Sequence, residues 1–474
     1  MIEIFLVITI ILAAGTAFVR NINISHIMVF SYFIFLAGLG VYMAEHVGET
    51  FSEYFLSDYM GLIFMAVLVV ISFSSALHYI TFAKKREVRP AEAALHNAGT
   101  IFFSGAMTGV LFAAHFGVLW AFVEATTIGA SILIYHNRNH ESLEATWKYL
   151  FVCSIGVAIA FAGILFLGLA SQEKGSIDFT YAGFKAIAPT LYPGWLKACF
   201  LLVVTGFSVK MGLVPLFNVD IDAKDAAPSQ VGASLSSVLM NAGFVAIYRF
   251  YEAFSGTSIL HWMNTFLLIT GVASLFFAAV YALRVRNIKR LFAYSSMEHA
   301  GLVIIAFACG GIGYFAAILH LIMHSLTKSS LFFQVSQMHR IYNTKLDEGI
   351  GSYLKINPIG GLVILLGFLS IIALPPSGLF ISELMMVQAL ITNNLWWLAV
   401  IIIGLVLVII YGLATRMLGI LFINKPNGNI YEKGATVWES VIQLALILLV
   451  FYIGLLRPQA IVDTINLAIK TLPI

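Results

Sequence analysis

Charged residues are scarce in this sequence. Asp, Glu, Lys and Arg together make up only 10% of its 474 residues, whereas 60% of the residues are hydrophobic and the mean hydropathy is +0.95. A soluble domain of this length cannot bury so much apolar surface, but a lipid bilayer can cover it. The composition therefore excludes an ordinary soluble enzyme and predicts a protein that lies almost entirely within a membrane.

Cysteine is nearly absent as well. Cys153, Cys199 and Cys309 are far apart and lie in apolar runs, which argues against a disulfide framework or a metal site. The sequence also has no phosphate loop, no dinucleotide fingerprint and no pair of histidines placed for haem. The net charge of +3 is small and evenly spread, so no nucleic-acid partner is indicated. We therefore expect no cofactor in this chain and no redox chemistry of its own.

Long apolar runs account for most of the chain. About fourteen of them have the length of roughly twenty residues that crosses a bilayer. A cleavable leader would have basic residues near its start, but Glu3 stands there, so we expect the first apolar run to be a membrane span. With the N-terminus outside, seventeen Lys and Arg residues fall on cytoplasmic connections, against five on the other side: Lys174, Lys185, Lys197, Arg457 and Lys470. This asymmetry predicts a multi-pass protein of the inner (cytoplasmic) membrane with both termini on the outer side.

A few ionisable residues interrupt these apolar spans. Because a charge at mid-bilayer costs several kcal/mol, such residues usually mark an ion or proton path. Helix–helix hydrogen bonding is the alternative for any single one, but together they favour proton transport through exchange among Glu, Lys and His. The predicted proton pathway consists of Glu124, Lys210, His320, His324, Lys328 and Glu383.

Two spans are broken by Gly and Pro beside an ionisable residue. Span 7 carries Lys210 before Gly212 and Pro215, and span 12 carries Glu383 after Pro375 and Pro376. Paired broken helices at corresponding positions are typical of inverted-repeat transporters. We therefore predict an all-α membrane protein with two inverted five-helix repeats. The predicted divisions are helices 1–3 in 1–96, the repeats in 97–254 (helices 4–8) and 255–423 (helices 9–13), and helix 14 with a tail in 424–474.

Several stretches of the sequence resemble one known family. They are 123–127, 142–150, 289–301, 320–333 and 374–383. In these stretches the chain resembles the antiporter-like subunits of respiratory complex I, of the Mrp antiporters and of the group 4 membrane-bound hydrogenases. The resemblance extends over residues 100–423, approximately. Around Glu144 to Tyr149 the sequence looks most like the F-type branch of the hydrogenase-4 membrane proteins.

The resemblance implies roles for the matched positions. Glu124 is similar to the family's span-5 glutamate, and Lys210 to the span-7 lysine that pairs with it as a switch. Lys328, with His320 and His324, would form the central relay. Glu383 would then occupy the span-12 position through which protons leave on the outer side.

The chain departs from the family after Lys210. In 215–229 both histidines, the tryptophan and the second proline of the family signature are missing, and Asn241 stands where relatives often have Lys or His. Either proton uptake runs instead through Asp220, Asp222, Lys224 and Asp225, or it is impaired. From position alone, an ordinary solvated loop is the favoured interpretation of these four charges.

Three further residues are candidates for accessory roles. Lys148 is four residues from Glu144, a spacing typical of a helix-end ion pair, although relatives keep this lysine near the Glu–Lys pair. Glu298 and His299 are either further relay members or caps where span 10 begins.

The resulting hypothesis is a proton-translocating, antiporter-like membrane subunit of an energy-converting oxidoreductase complex of the hydrogenase or NADH/quinone type. Other membrane subunits and hydrophilic redox subunits would be its partners, and these would carry iron–sulfur clusters or Ni-Fe. The transported ions would be protons, alone or with Na⁺. The alternatives are a subunit of a cation/proton antiporter or of an ion-coupled inorganic-carbon uptake complex, and a scaffold that has lost conduction.

Overall fold

The fold is almost entirely helical. The computed structural model describes residues 1–172, 178–424 and 437–473, so Lys174, Lys425 and Lys433, which were counted for the charge asymmetry, lie outside the described residues. Eleven helical segments in the described part are long and apolar enough to cross a membrane. The chain is therefore a polytopic membrane protein.

The helices follow one another with short connections. In chain order they are α1 (Ile2–Phe18), α2 (Ile22–Glu45), α3 (Tyr59–Lys85), α4 (Pro90–Phe112), α5 (Phe116–Ile134), α6 (His140–Gln172), α7 (Tyr181–Ile187), α8 (Pro193–Met211), α9 (Asn218–Ala226), α10 (Ser229–Ser234), α11 (Met240–Phe254), α12 (Leu260–Ala282), α13 (Ile288–Cys309), α14 (Ile312–Tyr342), α15 (Tyr353–Ile356), α16 (Pro358–Ile371), α17 (Gly378–Thr392), α18 (Trp396–Phe422), α19 (Val437–Leu456) and α20 (Gln459–Ile469). A π-helical turn, Leu235–Leu239, joins α10 to α11. A two-stranded hairpin pairs β1 (Thr50–Phe51) with β2 (Phe55–Leu56).

The helices form two compact units. Unit 1 contains Met1–Ala227, Val238–Leu267 and Asp463–Ile474, and unit 2 contains Pro228–Ser237 and Leu268–Val462.

Unit 1 is held together by close helix packing and by a buried ion pair. A Cβ atom added to Gly156 on α6 would lie 2.9 Å from the carbonyl oxygen of Gly206 on α8, so these two backbones touch. The Arg249 guanidinium is buried and binds Asp58 through two hydrogen bonds of 2.5 and 3.0 Å. It also donates to the carbonyl oxygen of Leu111 at 3.1 Å.

Unit 2 surrounds two buried helices. α13 and α14 are buried along almost their whole length, although both carry several polar side chains. Polar side chains are unfavourable in contact with lipid. Because α13 and α14 are buried, their polar side chains face other parts of the protein instead.

Both predicted helix breaks occur. α8 ends at Met211, and Gly212 caps it in the left-handed conformation with φ of 77°, which glycine adopts without a steric penalty. The next helix, α9, begins only at Asn218. In the same way α16 ends at Ile371 and α17 begins at Gly378, with Ser377 capping it. Proline has no N–H to donate to a helix, which explains why each gap contains one or two prolines.

Candidate functional site

A hydrogen-bonded chain in unit 1 links the two predicted ionisable residues. Lys210 Nζ donates to the Thr127 hydroxyl at 2.6 Å, and this hydroxyl donates to Glu124 Oε2 at 3.4 Å. Glu124 and Lys210 form no direct ion pair in the described part of the chain. A hydroxyl can accept one hydrogen bond while it donates another, so Thr127 connects the amine to the carboxylate.

Three helices hold this chain in place. Glu124 and Thr127 are three residues apart on α5, which puts them on the same helix face. On α6, Ser154 donates to Glu124 Oε1 at 2.8 Å, and the Tyr149 hydroxyl lies 3.4 Å from Lys210 Nζ. The amine also lies 5.2 Å from the centre of the Tyr149 ring, within the range of a cation–π contact. Lys210, in the last turn of α8, is only 2% exposed.

The charged residues after Lys210 are not a solvated loop. They form α9, in which Asp220 and Lys224 are buried, with exposures of 3% and 2%, and pair at 2.5 Å. Asp225 is buried too. The sequence interpretation was wrong because residues of this polarity are normally exposed, whereas here an i, i+4 ion pair offsets the free energy lost on burial.

One face of α9 remains accessible. The Asp222 side chain is 29% exposed, and its carboxylate lies 3.9 Å from Lys148 Nζ on α6. Lys148 also forms the expected ion pair with Glu144, at 2.6 Å. Asn241 is buried on α11.

Unit 2 contains a hydrogen-bonded pair of histidines. His299 Nδ1 on α13 and His320 Nε2 on α14 share a hydrogen bond of 2.9 Å, and His320 Nδ1 lies 2.9 Å from the Ser382 hydroxyl on α17. The Ser382 hydroxyl donates to the Leu379 carbonyl oxygen at 2.9 Å, so it accepts from His320 Nδ1. This assigns the proton of His320 to Nδ1 and leaves a lone pair on Nε2 that faces His299.

The remaining predicted residues of unit 2 lie around this pair. Glu383 Oε1 is 4.0 Å from His299 Nδ1, and the ring centres of His324 and His299 are 5.0 Å apart. Lys328 Nζ donates to the Phe292 carbonyl oxygen at 2.8 Å. The buried Glu298 accepts from the Ser295 hydroxyl at 3.4 Å. His299 therefore lies inside the group rather than acting as a helix cap.

Sequence reasoning missed the hydroxyls. Thr127, Ser154, Tyr149 and Ser382 contact the predicted ionisable residues, but hydroxyl residues occur in many of the spans. The only available signal was spacing, since Thr127 lies three residues after Glu124 and Ser382 directly precedes Glu383.

Comparison with known proteins agrees with this architecture. Residues 113–409 match the family described as NADH:quinone oxidoreductase/Mrp antiporter, TM. A hydrogenase-4 component F homolog of Methylacidiphilum infernorum is 30% identical over 385 residues, which cover 79% of this chain and 80% of that protein.

Solved structures share the fold. A chain of the membrane-bound sulfane sulfur reductase (MBS), an archaeal respiratory membrane complex, is similar with a TM-score of 0.86 and 21% identity, over 99% of this chain and 97% of that one. A chain of the Mrp complex from Dietzia sp. DQ12-45-1b is similar with a TM-score of 0.84 and 14% identity, over 99% and 96%. The resemblance found in the sequence is confirmed: this chain belongs to the NADH:quinone oxidoreductase/Mrp antiporter transmembrane family.

Proposed function

We propose that this chain is the proton-translocating, antiporter-like membrane subunit of a multi-subunit, energy-converting oxidoreductase complex. The hydrogen-bonded chain Glu124–Thr127–Lys210 is the observation that carries the proposal. Its carboxylate and amine are both able to take up and release protons, and the hydroxyl between them provides a route. A purely structural contact needs no such series of exchangeable groups, which here joins α5 to α8.

The uptake side of the pathway runs along α9. Lys148 and Asp222 are the exposed pair from which a proton reaches Asp220 and Lys224. Asp220 is close to the end of α8, since a Cβ on Gly212 would lie 3.0 Å from its carboxylate oxygen. α9 thus replaces the histidines that the family signature has after the span-7 lysine. Asn241, which does not titrate, would require a water molecule for any transfer at its position.

Unit 2 provides the second segment of the pathway. Lys328 and the three histidines His324, His320 and His299 exchange protons, with Glu298 as a nearby carboxylate. Glu383 is the final group, from which protons leave on the outer side. Its side chain is 19% exposed and lines a cavity of about 280 Å³.

The proposed membrane topology has fourteen spans. Adding α1, α4 and the α16–α17 pair to the eleven membrane-crossing segments gives fourteen spans, with both termini on the outer side of the inner membrane. The breaks after α8 and α16 support inverted five-helix repeats in 97–254 and 255–423, between helices 1–3 in 1–96 and the terminal region 424–474.

The driving force comes from partner subunits. The similarity to a hydrogenase-4 component and to a chain of a sulfane sulfur reductase complex supports hydrophilic redox partners that carry iron–sulfur clusters or Ni-Fe, beside other membrane subunits. The Mrp likeness favours a second candidate, a cation/proton antiporter subunit that moves H⁺ against Na⁺.

Purification separates these two candidates. The tagged chain is extracted from native membranes in mild detergent, and the proteins that accompany it are identified by mass spectrometry. Co-purifying iron–sulfur and hydrogenase- or quinone-reductase-like subunits support the oxidoreductase complex. A set of small membrane subunits only, or a soluble carbon-capturing partner, would contradict it and support the antiporter or uptake class.

A further inference from the structure

Three metal-ligating side chains converge in unit 2. His299 on α13, His320 on α14 and Glu383 on α17 each direct one ligand atom to the same place, and these atoms lie within 4.8 Å of one another. Both histidines are fully buried. Because the three residues come from three different helices, helix packing fixes their relative positions.

The hydrogen bonds around His320 prepare it for a cation. Ser382 accepts the Nδ1 proton, so the Nε2 lone pair points to the centre of the group. A ring nitrogen that is oriented by a hydrogen bond on the opposite nitrogen is the usual arrangement for a metal-binding histidine. On His299, Nδ1 faces the same centre, and Nε2 has no hydrogen-bond partner in the described part of the chain.

We propose that His299, His320 and Glu383 form a binding site for a divalent transition-metal cation such as Zn²⁺. In tetrahedral coordination with bonds of about 2.0–2.1 Å, two ligand atoms are about 3.3 Å apart. The nitrogen–nitrogen distance of 2.9 Å has to increase slightly, and the distance of 4.0 Å from His299 Nδ1 to Glu383 Oε1 has to decrease.

The donor atoms select the class of cation. Two imidazole nitrogens and one carboxylate oxygen suit Zn²⁺ and its transition-metal neighbours, whereas Mg²⁺ and Ca²⁺ prefer oxygen ligands. Three protein ligands leave the fourth tetrahedral position open for water. Of the three ligands, only Glu383 has a partly exposed side chain, at 19%, so it marks the accessible side of the site.

The cation takes the place of a proton. With the proton of His320 on Nδ1, His299 Nδ1 donates to His320 Nε2, and a bound cation uses both of these nitrogens, so the displaced Nδ1 proton of His299 moves to its own Nε2, which has no other partner among the described residues. Zn²⁺ therefore blocks proton transfer between them. This blocking effect rests on the proposed function, whereas binding of the cation does not.

Metal binding is measured on the purified full complex. After chelator treatment and desalting, the wild-type complex and its variants are titrated with Zn²⁺ by calorimetry, and the tightly bound zinc is counted by mass spectrometry. We expect the wild-type complex to hold one Zn²⁺ per chain more than His320→Ala. Glu383→Gln, which keeps the shape of the side chain, should weaken binding at least about tenfold.

His324→Ala is the matched control. His324 lies on the same helix, one turn from His320, and its ring is close to His299, but it does not belong to the ligand set. It should bind Zn²⁺ as the wild type does. Equal zinc in the wild type, His320→Ala and Glu383→Gln would overturn the proposal, as would equal loss of zinc in His324→Ala. Gel filtration checks that each variant complex keeps its intact size. If His320→Ala does not assemble, the zinc affinity of Glu383→Gln tests the proposal instead.

Discussion

The two units hold their buried lysines in different ways. In each unit the amine lies over an aromatic ring, 5.2 Å from the centre of Tyr149 for Lys210 and 5.5 Å from the centre of Phe292 for Lys328. Lys210 donates to the hydroxyl of Thr127, whereas Lys328 donates to the carbonyl oxygen of Phe292. A hydroxyl can pass a proton on, but a carbonyl oxygen can only accept a hydrogen bond.

Under the proposed function, this difference indicates which groups would carry protons in each unit. Unit 1 connects an amine to a carboxylate through one hydroxyl, so the proposed pathway has few groups there and should depend on each of them. Unit 2 has a cluster of histidines, each of which can donate and accept. Changes in unit 1 should therefore reduce proton flux more than changes in unit 2.

The largest effect is expected from Thr127→Val. Valine keeps the shape of threonine but removes the hydroxyl, and loss of a group that transfers a proton typically costs on the order of 10²-fold in rate. Proton flux into proteoliposomes, measured with a pH-sensitive dye, should fall accordingly, and Thr127→Ser should restore most of it.

Thr126→Val is the control for this change. Thr126 is also buried on α5, but its hydroxyl donates to the carbonyl oxygen of Val123. Its flux should stay near the wild-type value. Normal flux in an assembled Thr127→Val complex would show that protons bypass the hydroxyl.

A smaller effect is expected on the uptake side. Asp220→Asn removes the buried carboxylate that we propose as a proton carrier and breaks its ion pair with Lys224, so flux should fall about tenfold. Asp222→Asn, on the accessible face of α9, should reduce flux much less, because solvent can replace an exposed carboxylate. If the two variants behave alike, α9 is not the uptake route.

A change of a few fold is expected in unit 2 from Ser382→Ala. The His320 ring loses the hydrogen bond that orients it, and about 1 kcal/mol for such a bond corresponds to about a fivefold loss of flux. The flux of Ser382→Ala is compared with that of Ser325→Ala. The Ser325 hydroxyl donates to the Leu321 carbonyl oxygen on α14, the helix that carries His320. A loss in Ser382→Ala as large as that in Thr127→Val would contradict the contrast between the units.

The smallest effect on flux is expected from Asp58→Asn. This change removes the hydrogen-bonded carboxylate partner of the buried Arg249 and leaves only Glu252, at 4.0 Å, so the apparent melting temperature of the complex should fall while flux per assembled complex stays within about twofold of the wild type. Glu92→Gln removes the carboxylate that pairs with the exposed Arg89 and Arg138, and should change the melting temperature much less. A large loss of flux in Asp58→Asn would place this pair in the pathway.

The sequence was sufficient to predict the helix breaks and to single out ionisable residues that the structure places close together, although their role in proton transfer stays a prediction. A charge in an apolar span is conspicuous, as with Glu124 and Lys210, and Pro215 and Pro375 mark where helices stop. α9 could not be predicted, because the burial of Asp220 and Lys224 depends on packing by helices distant in sequence. Hydroxyls such as Thr127 and Ser382 were missed because their contacts also depend on helices distant in sequence. The helix α20 was missed because its eleven residues are too few to cross a membrane.

The most direct test of the account is the number of protons moved per electron by the reconstituted complex. Lys210→Ala removes the buried amine, whereas Lys197→Ala removes an exposed lysine from the same helix and serves as its control. We predict a lower ratio for Lys210→Ala, with electron transfer still running, and the wild-type ratio for Lys197→Ala. An assembled Lys210→Ala complex that keeps the wild-type ratio would contradict the proposal that protons pass through this chain.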